Sequence, residues 1–373
     1  MKETRRGKRR KRREEKRLKF TKPIEEIATL ENFYKAAKLI IKLVSWKPSV
    51  QRFILSILFK IKKAKEIVLK GKEFRQGFIC FNIQERGKSR EIQSLHLMER
   101  FIQKWLCLFV LNPVFLKTVI KENSASQKGK GTLFAAQTFE NHIRKFLKKH
   151  ENGYILLIDF KKYFGNIKHE PLIRFYEENV SDERLRTMLI KSITAYEEGL
   201  GLGSEISQFN AIIYINKIDH YIKQHFKYYG RYMDDSYIIC EDKEKLKKFS
   251  ENLFRKYEEL GIIINKKKTN IVPIKSHFTF LKTRYKVTDE KIYKKPSRSS
   301  ITRARKRFKK MANLVNKGEM TQEEMHRAVV SWAGSMKRRH ARRSVYKIKK
   351  AIKNALRLQH NERGICDGDS VRK

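Results

Sequence analysis

Apolar residues recur at helical spacing from Ile24 to Leu69, as in Ile27, Leu30, Phe33 and Tyr34 and then Ile40, Ile41 and Val44, and predict two or three helices. Alternation at Phe78, Cys80 and Asn82, resuming after Gly87 with Glu91, Ile92 and Gln93, predicts a strand pair rimmed by Arg86, Lys88 and Arg90. Helical spacing returns from Leu97 to Val110. Glycines then punctuate Lys128 to Thr132, and another helix is expected from Phe134 to Lys148. Tyr154 to Ile158 is a short, wholly apolar strand that ends at Asp159. A helical region to Tyr196 is followed by the glycine-rich turn Gly199 to Gly203. An amphipathic helix with Phe209, Ile212, Ile213, Tyr221 and Ile222 on one side comes next. Tyr228 to Cys240 alternates around two adjacent aspartates, as a hairpin does. The last third is helical and basic. Residues 303–317 carry Ala304, Phe308, Met311 and Leu314 toward a core, Thr321-Gln322-Glu323-Glu324 fits a capping box, and a third helix presents Val345, Ile348, Ile352 and Leu356.

Charge changes this picture from a fold to a partner. The 373 residues hold 87 Lys plus Arg against 40 Asp plus Glu, a net +47, or about one uncompensated positive charge per eight residues. That much self-repulsion calls for a polyanion, and basic residues interleaved with Phe, Tyr and Trp favour nucleic acid over an anionic membrane surface. With 40% hydrophobic residues the chain can bury a real core, so a wholly disordered basic protein is excluded. Only residues 1 to about 19, almost all charged, read as a disordered arm. No apolar run approaches the roughly 18 residues of a membrane span, and no secretion signal opens the chain, so a cytoplasmic protein is expected. Cys80, Cys107, Cys240 and Cys366 lack zinc-site spacing, and the first three lie in apolar runs suited to buried thiols.

Two places put carboxylates where folding alone would not. Asp159 ends an apolar strand, and Asp234 with Asp235 sits inside Tyr232-Met233-Asp234-Asp235-Ser236-Tyr237. Burying acids beside that much hydrocarbon costs several kcal/mol each unless a cation or donor compensates. Hard divalent cations do so through oxygen ligands and one or two carboxylates plus substrate phosphates, which points to phosphoryl transfer. Adjacent strand residues point to opposite faces, so Asp234 and Asp235 can share a site only at a tight hairpin turn. Taken singly, the pair also reads as turn residues and Asp159 as a helix N-cap.

Tyr232-Met233-Asp234-Asp235, with Asp159 about 75 residues upstream, resembles the palm of reverse transcriptases, and further blocks follow in that family's order. Arg86-Gly87-Lys88-Ser89-Arg90-Glu91-Ile92 resembles the fingers strand that holds the incoming triphosphate. Ser124 to Thr132 resembles the template-side block of bacterial members, and Asp159-Phe160-Lys161-Lys162-Tyr163-Phe164 the first catalytic block. Leu202-Gly203-Ser204-Glu205-Ile206-Ser207-Gln208 is similar to the xGxxxSQ block of diversity-generating retroelements and of unclassified, defence-associated bacterial groups. Asn265 to Thr269, Phe280-Leu281 and the thumb-like Ser331-Trp332-Ala333-Gly334 complete the series.

The resemblance implies an α+β right-hand polymerase with mostly helical fingers, a palm of antiparallel strands packed on helices and a three-helix thumb. The implied boundaries are an arm over 1–22, fingers over 23–150, palm over 151–290, thumb over 291–360 and a tail over 361–373. It implies an RNA-directed DNA polymerase, bacterial or phage-encoded, in which Asp159, Asp234 and Asp235 hold two Mg²⁺ ions, with Mn²⁺ as a substitute. Lys88, Arg90, Phe164, Leu202, Gln208 and Lys268 would meet the deoxynucleoside triphosphate, with Phe164 excluding a ribose 2′-hydroxyl. Lys128, Lys130, Tyr232, Met233, Arg303, Arg305, Arg307, Lys337, Arg338 and Arg339 would meet nucleic acid. The implied partners are a dedicated structured RNA, the RNA–DNA heteroduplex and deoxynucleotides, with an accessory subunit or self-assembly left open and no membrane. The biological setting is mutagenic copying in a diversity-generating retroelement or antiphage defence. The competing reading is a catalytically degenerate, basic RNA-binding scaffold that keeps the palm's outline. Three departures stand out: Leu202 where many reverse transcriptases have Gln, Gly165 where an acid often follows Phe164, and Lys282 where Phe280-Leu281 is often followed by Gly. A leucine cannot hydrogen-bond the nascent pair, which suggests error-prone copying, and Lys282 puts the primer-grip turn in question.

Overall fold

The structure, a computed structural model, describes residues 19–42, 44–85 and 88–366, without the side chains of Glu85, Lys88 and residues 357–366. Most of the basic arm, Arg86 and Gly87 of the fingers block, and the last seven residues of the tail lie outside these. The chain is a mixed α+β protein. It divides into two compact units, one drawn from Met1–Phe146 and Ile155–Ile271, the other from Leu147–Tyr154 and Val272–Lys373.

The first unit opens with α1 (Ile24–Ile27), α2 (Leu30–Ile41), α3 (Pro48–Leu55) and α4 (Ile57–Leu69), one more helix than the periodicity predicts. The extra break is local chemistry. Pro48 starts α3 where its missing N–H is no loss, and Ser56 leaves helical geometry at φ −115° and ψ 26°, separating α3 from α4. α5 (Leu97–Leu106), prolonged by a π-type turn over Cys107–Leu111, forms the core against them: Phe33 stacks on Trp105 at 4.8 Å, and Phe53 meets Phe101 edge-on at 5.4 Å. β1 (Phe78–Glu85) and β2 (Lys88–Leu95) form an antiparallel hairpin that pairs Phe81 with Ile92 and Ile83 with Arg90. Ile79, Phe81 and Ile83 on one face are 48%, 45% and 43% exposed. Cys80 on the opposite face is exposed too, unlike the buried thiol its apolar run suggests, whereas Cys107 and Cys240 are buried.

α6 (Thr132–Leu147), β3 (Tyr154–Asp159), α7 (His169–Asn179), α8 (Glu183–Thr194), α9 (Glu205–Tyr214), α10 (Asn216–His225), β4 (Tyr228–Tyr232), β5 (Asp235–Cys240), α11 (Lys243–Glu259) and β6 (Asn270–Pro273) follow. Their sheet runs β4-β5-β3-β6, so β3 lies beside the β4–β5 hairpin. That order brings the end of β3, where Asp159 stands, next to the strand that begins at Asp235.

The second unit holds an antiparallel sheet of β7 (His277–Phe280), β8 (Thr283–Val287) and β9 (Ile292–Pro296), then α12 (Arg298–Asn316), α13 (Gln322–Lys337) and α14 (Arg342–Cys366). Ala304, Phe308 and Ala312 of α12, Met325 and Val329 of α13 and Ile348 of α14 make its helical core, with Trp332 edge-on to Phe308 at 5.4 Å. The capping box at Thr321 is formed in both directions: Glu324 N donates to Thr321 Oγ1, and Thr321 N to Glu324 Oε2. The β7–β8 turn keeps its two-residue form without glycine. Phe280 pairs with Thr283, and Leu281 and Lys282 take left-handed φ of 46° and 62°.

Candidate active site

Tyr232 pairs with Asp235, leaving Met233 and Asp234 as the two residues of a hairpin turn with Met233 at φ 53°. This is the tight turn that lets adjacent aspartates face one site. Asp159 is 6% exposed at the end of β3. Its Oδ1 accepts from Asn265 Nδ2 at 2.6 Å and its Oδ2 from Lys268 Nζ at 2.7 Å. Its backbone is fixed as well: Asp159 N donates to Thr269 Oγ1 at 3.2 Å, and Asn265 N to Asp159 O at 2.8 Å. The Asn265 to Thr269 block therefore works as a clamp on Asp159.

The three carboxylates feel one another. Burial first, then Asp234 and Asp159, pushes the Asp235 carboxyl up to about 7, while Lys268 opposes the rise. Asp234 is also raised, by burial and then by Asp159, with Lys268 and Arg90 favouring its ionised form. Arg90, on the β1–β2 hairpin, is thus close enough to act on the Met233–Asp234 turn. Burial lowers the Lys268 ammonium's affinity for its proton, but its hydrogen bond to Asp159 and the charges of Asp159, Asp235 and Asp234 outweigh this and leave it raised. Among the described residues no group of three or more acid, His or Cys side chains is gathered tightly enough to hold a metal unaided. The donor set nevertheless fits a hard cation: all oxygen, clustered negative charge, and a lysine ammonium standing in on Asp159.

Phe164 is half-buried, and its backbone is pinned from behind, its O accepting from Leu200 N at 2.8 Å. Gly199, at φ 63°, lies so close that a Cβ there would sit 2.5 Å from Phe164 O. The glycine-rich turn thus sets the height of Phe164. Leu202 follows, half-buried, and Gly203 approaches the fingers hairpin, its Cβ position 3.5 Å from Gln93 O and Ile92 Cγ2. Ser204 caps α9 and donates to Gln103 Oε1 of α5 at 2.8 Å, and Gln103 in turn donates to buried Glu99 at 3.4 Å. Gln208 is turned to the template-side loop, where its Oε1 accepts from Ser126 Oγ at 2.7 Å.

Other expected contacts scatter. Lys128 is exposed on that loop, but Lys130 Nζ donates to the carbonyls of Lys121 and Asn123 at 2.9 Å each, so it shapes the loop from within. Tyr232 is half-buried beside the turn, its hydroxyl pKa raised by burial and then by Asp234 and Asp235. In the second unit Arg303, Arg305, Arg307, Lys337 and Arg338 are exposed and Arg339 partly so. The Lys88 side chain lies outside the described residues.

The residues missed from sequence are polar and buried: Asp219, Arg231 and Asn123, each at most 1% exposed. Arg231 sits in the otherwise apolar and aromatic strand Tyr228-Tyr229-Gly230-Arg231-Tyr232, and a charge there must have a partner. That was the available signal. Among the described residues no helix is long and apolar enough to cross a membrane.

A tight turn of paired aspartates beside a strand-end aspartate is an arrangement suited to phosphoryl-transfer chemistry. Residues 76–313 match the family profile described as reverse transcriptase (RNA-dependent DNA polymerase), and the chain belongs to that family. Among solved structures, it is similar to the apo telomerase of Candida tropicalis truncated from its C-terminal domain, with 16% identity and a TM-score of 0.46. The match covers 59% of this chain and 55% of that one, so the chain spans about half the length of that telomerase. No curated protein matches the chain.

Proposed function

We propose that the protein is an RNA-directed DNA polymerase that copies a dedicated structured RNA into DNA by two-metal phosphoryl transfer. The observation that carries this reading is the nearness of Asp159, Asp234 and Asp235, with burial and the neighbouring carboxylates raising the proton affinities of Asp234 and Asp235, in a chain of the reverse transcriptase family. Two Mg²⁺ ions held by these carboxylates would supply charge neutralisation at the attacking and leaving oxygens. The chain's own residues do the positioning. The primer 3′-hydroxyl attacks the α-phosphorus, the bond to the bridging oxygen breaks, and pyrophosphate leaves. Arg90 and Lys88 neutralise the triphosphate tail, and Lys268 Nζ, 2.7 Å from Asp159 Oδ2, gives a proton to departing pyrophosphate. The Phe164 ring, held up by the Gly199 turn, crowds a ribose 2′-hydroxyl. Leu202 constrains the nascent pair through packing alone, a weak discriminator that favours error-prone copying. The exposed cations of α12 and of the end of α13 suit the backbone of an A-form duplex.

The polymerase serves either mutagenic copying or antiphage defence. Neighbouring near-repeats with adenine substitutions mark the first setting, and their absence with a copurifying noncoding RNA marks the second. The decisive experiment is primer extension on an RNA template with the full chain. The wild type is expected to extend with deoxynucleotides, and the Asp234→Asn/Asp235→Asn variant to lose extension and cellular function together. A double variant that keeps its cellular function would make the protein an RNA-binding scaffold.

A further inference from the structure

We propose that the buried Asp219–Arg231 pair is the positioning device of the active site, holding the Met233–Asp234 turn in register with the template-side loop. This role rests on the polymerase reading of the aspartates. Both side chains are 0% exposed. Arg231 Nε donates to Asp219 Oδ1 at 2.9 Å and to Oδ2 at 3.0 Å, and Nη2 donates to Oδ2 at 2.6 Å. The rest of the guanidinium reaches outward, Nη2 to Ile212 O on α9 at 2.9 Å and Nη1 to Met233 O in the catalytic turn at 3.2 Å. The Arg231 backbone is tied to the template-side loop, its N donating to Glu122 O at 3.2 Å and its O accepting from Ser124 N at 3.0 Å. Asp219 accepts further from the Tyr229 hydroxyl at 2.5 Å and from Asn123 Nδ2 at 3.5 Å.

Two considerations make this more than a buried ion pair. Met233 is a non-glycine residue at φ 53°, a strained conformation that persists only where its surroundings over-determine it. The Arg231 bond to its carbonyl is such a constraint. Second, well-packed apolar residues of similar volume often replace a buried pair with no loss of stability, so stability alone does not call for one here. What an apolar pair cannot supply is a donor aimed at Met233 O. The same Arg231 joins α9, α10, the Glu122–Ser124 segment and the turn, so a shift of the template-side loop is passed to Asp234 and Asp235 through a single residue, its backbone on the loop and its guanidinium on the turn.

Two variants of the full chain test this, Asp219→Met/Arg231→Met and Arg231→Lys, by thermal midpoint, Mn²⁺ half-saturation in calorimetry, and kcat and KM in primer extension. The double variant is expected to melt cooperatively near the wild-type midpoint with kcat lowered about 100-fold, the scale on which ångström misplacement acts. Its Mn²⁺ half-saturation is expected to rise several-fold, with KM for template-primer unchanged. A folded double variant with wild-type kcat and Mn²⁺ half-saturation overturns the role. Should the double variant not fold, Arg231→Lys decides: it keeps a cation opposite Asp219 but gives up the fork, so kcat is expected to fall about tenfold or more, and wild-type kcat refutes the proposal. A wild type that binds Mn²⁺ without extending primers would sink the polymerase reading alone, and the variants' Mn²⁺ half-saturation would still decide the positioning role.

Discussion

Gly199→Ala tests how the sugar-facing side of the site is built. The added Cβ would lie 2.5 Å from Phe164 O and 2.6 Å from Gly165 Cα, and Gly199 holds φ 63°. Left-handed geometry costs a non-glycine residue about 1–2 kcal/mol. Crowding against backbone, which cannot swing aside as a side-chain tip can, adds about 1–3 kcal/mol. The less flexible unfolded chain offsets about 0.4–1 kcal/mol of this, for a net destabilisation of about 1–5 kcal/mol. The strain falls on a segment fixed by His169, whose Nε2 lies 2.6 Å from Gly199 O, and by the Leu200 N bond to Phe164 O. Phe164 must therefore move, and ribonucleotide incorporation is expected to rise, as it should more strongly in Phe164→Ala. Gly165→Ala is the control, because nothing lies within 4 Å of its Cβ position, so it should stay within about 0.5 kcal/mol of wild type. Denaturant midpoints and competition between ribo- and deoxynucleotides measure both effects. An undiminished midpoint in Gly199→Ala refutes the close approach, and a lowered midpoint with unchanged sugar selectivity refutes the link to Phe164.

Three further outcomes are expected. Burial, then Lys223 and Lys145 against Glu122, pushes His142 down to about 4 from its usual 6.5. The unfolded chain thus binds the extra proton between those values, and stability should rise with pH across that window by up to about 3 kcal/mol. Denaturation curves of His142→Gln should lose that slope, and an unaltered slope would place the titration elsewhere. Lys282→Gly removes a left-handed lysine and should stabilise the β7–β8 turn by about 1 kcal/mol in denaturant melts, whereas equal midpoints would mean the turn is unstrained. On the proposed function, Leu202→Gln would place a hydrogen-bonding side chain at the nascent pair. Sequenced products should then carry fewer errors opposite adenine, and an identical error spectrum would assign fidelity to other residues.

The parts of the fold legible in the sequence were those encoded locally. Tyr154 to Asp159, the hairpin around Asp234, the capping box at Thr321 and the basic helices after Ser297 each announce themselves through spacing, turn chemistry or caps. Four helices before Leu69 instead of three follow from Pro48 and Ser56, which periodicity overlooks. The aspartates were legible because acids inside apolar strands are costly. Asp219 was not, because it stands twelve positions from Arg231 among Lys217, His220, Lys223 and His225, where an acid draws no attention. The motif resemblance places Gln208 at the nucleotide, and the structure adds that its side-chain carbonyl accepts from Ser126 Oγ, a contact no spacing predicts. Lys130 was legible as a cation but not as a ligand of two backbone carbonyls.

The lysine on Asp159 has a consequence for the order of events at the site. Lys268 is a tethered counter-ion, so when Asp159 turns to other cations the displaced ammonium cannot diffuse away. It stays within a side chain's reach of the carboxylates, where the proposed function places the phosphates of an incoming nucleotide. On the proposed mechanism one positive charge would pass from the resting acid to the reacting anion, so the pocket would not stand uncompensated between turnovers.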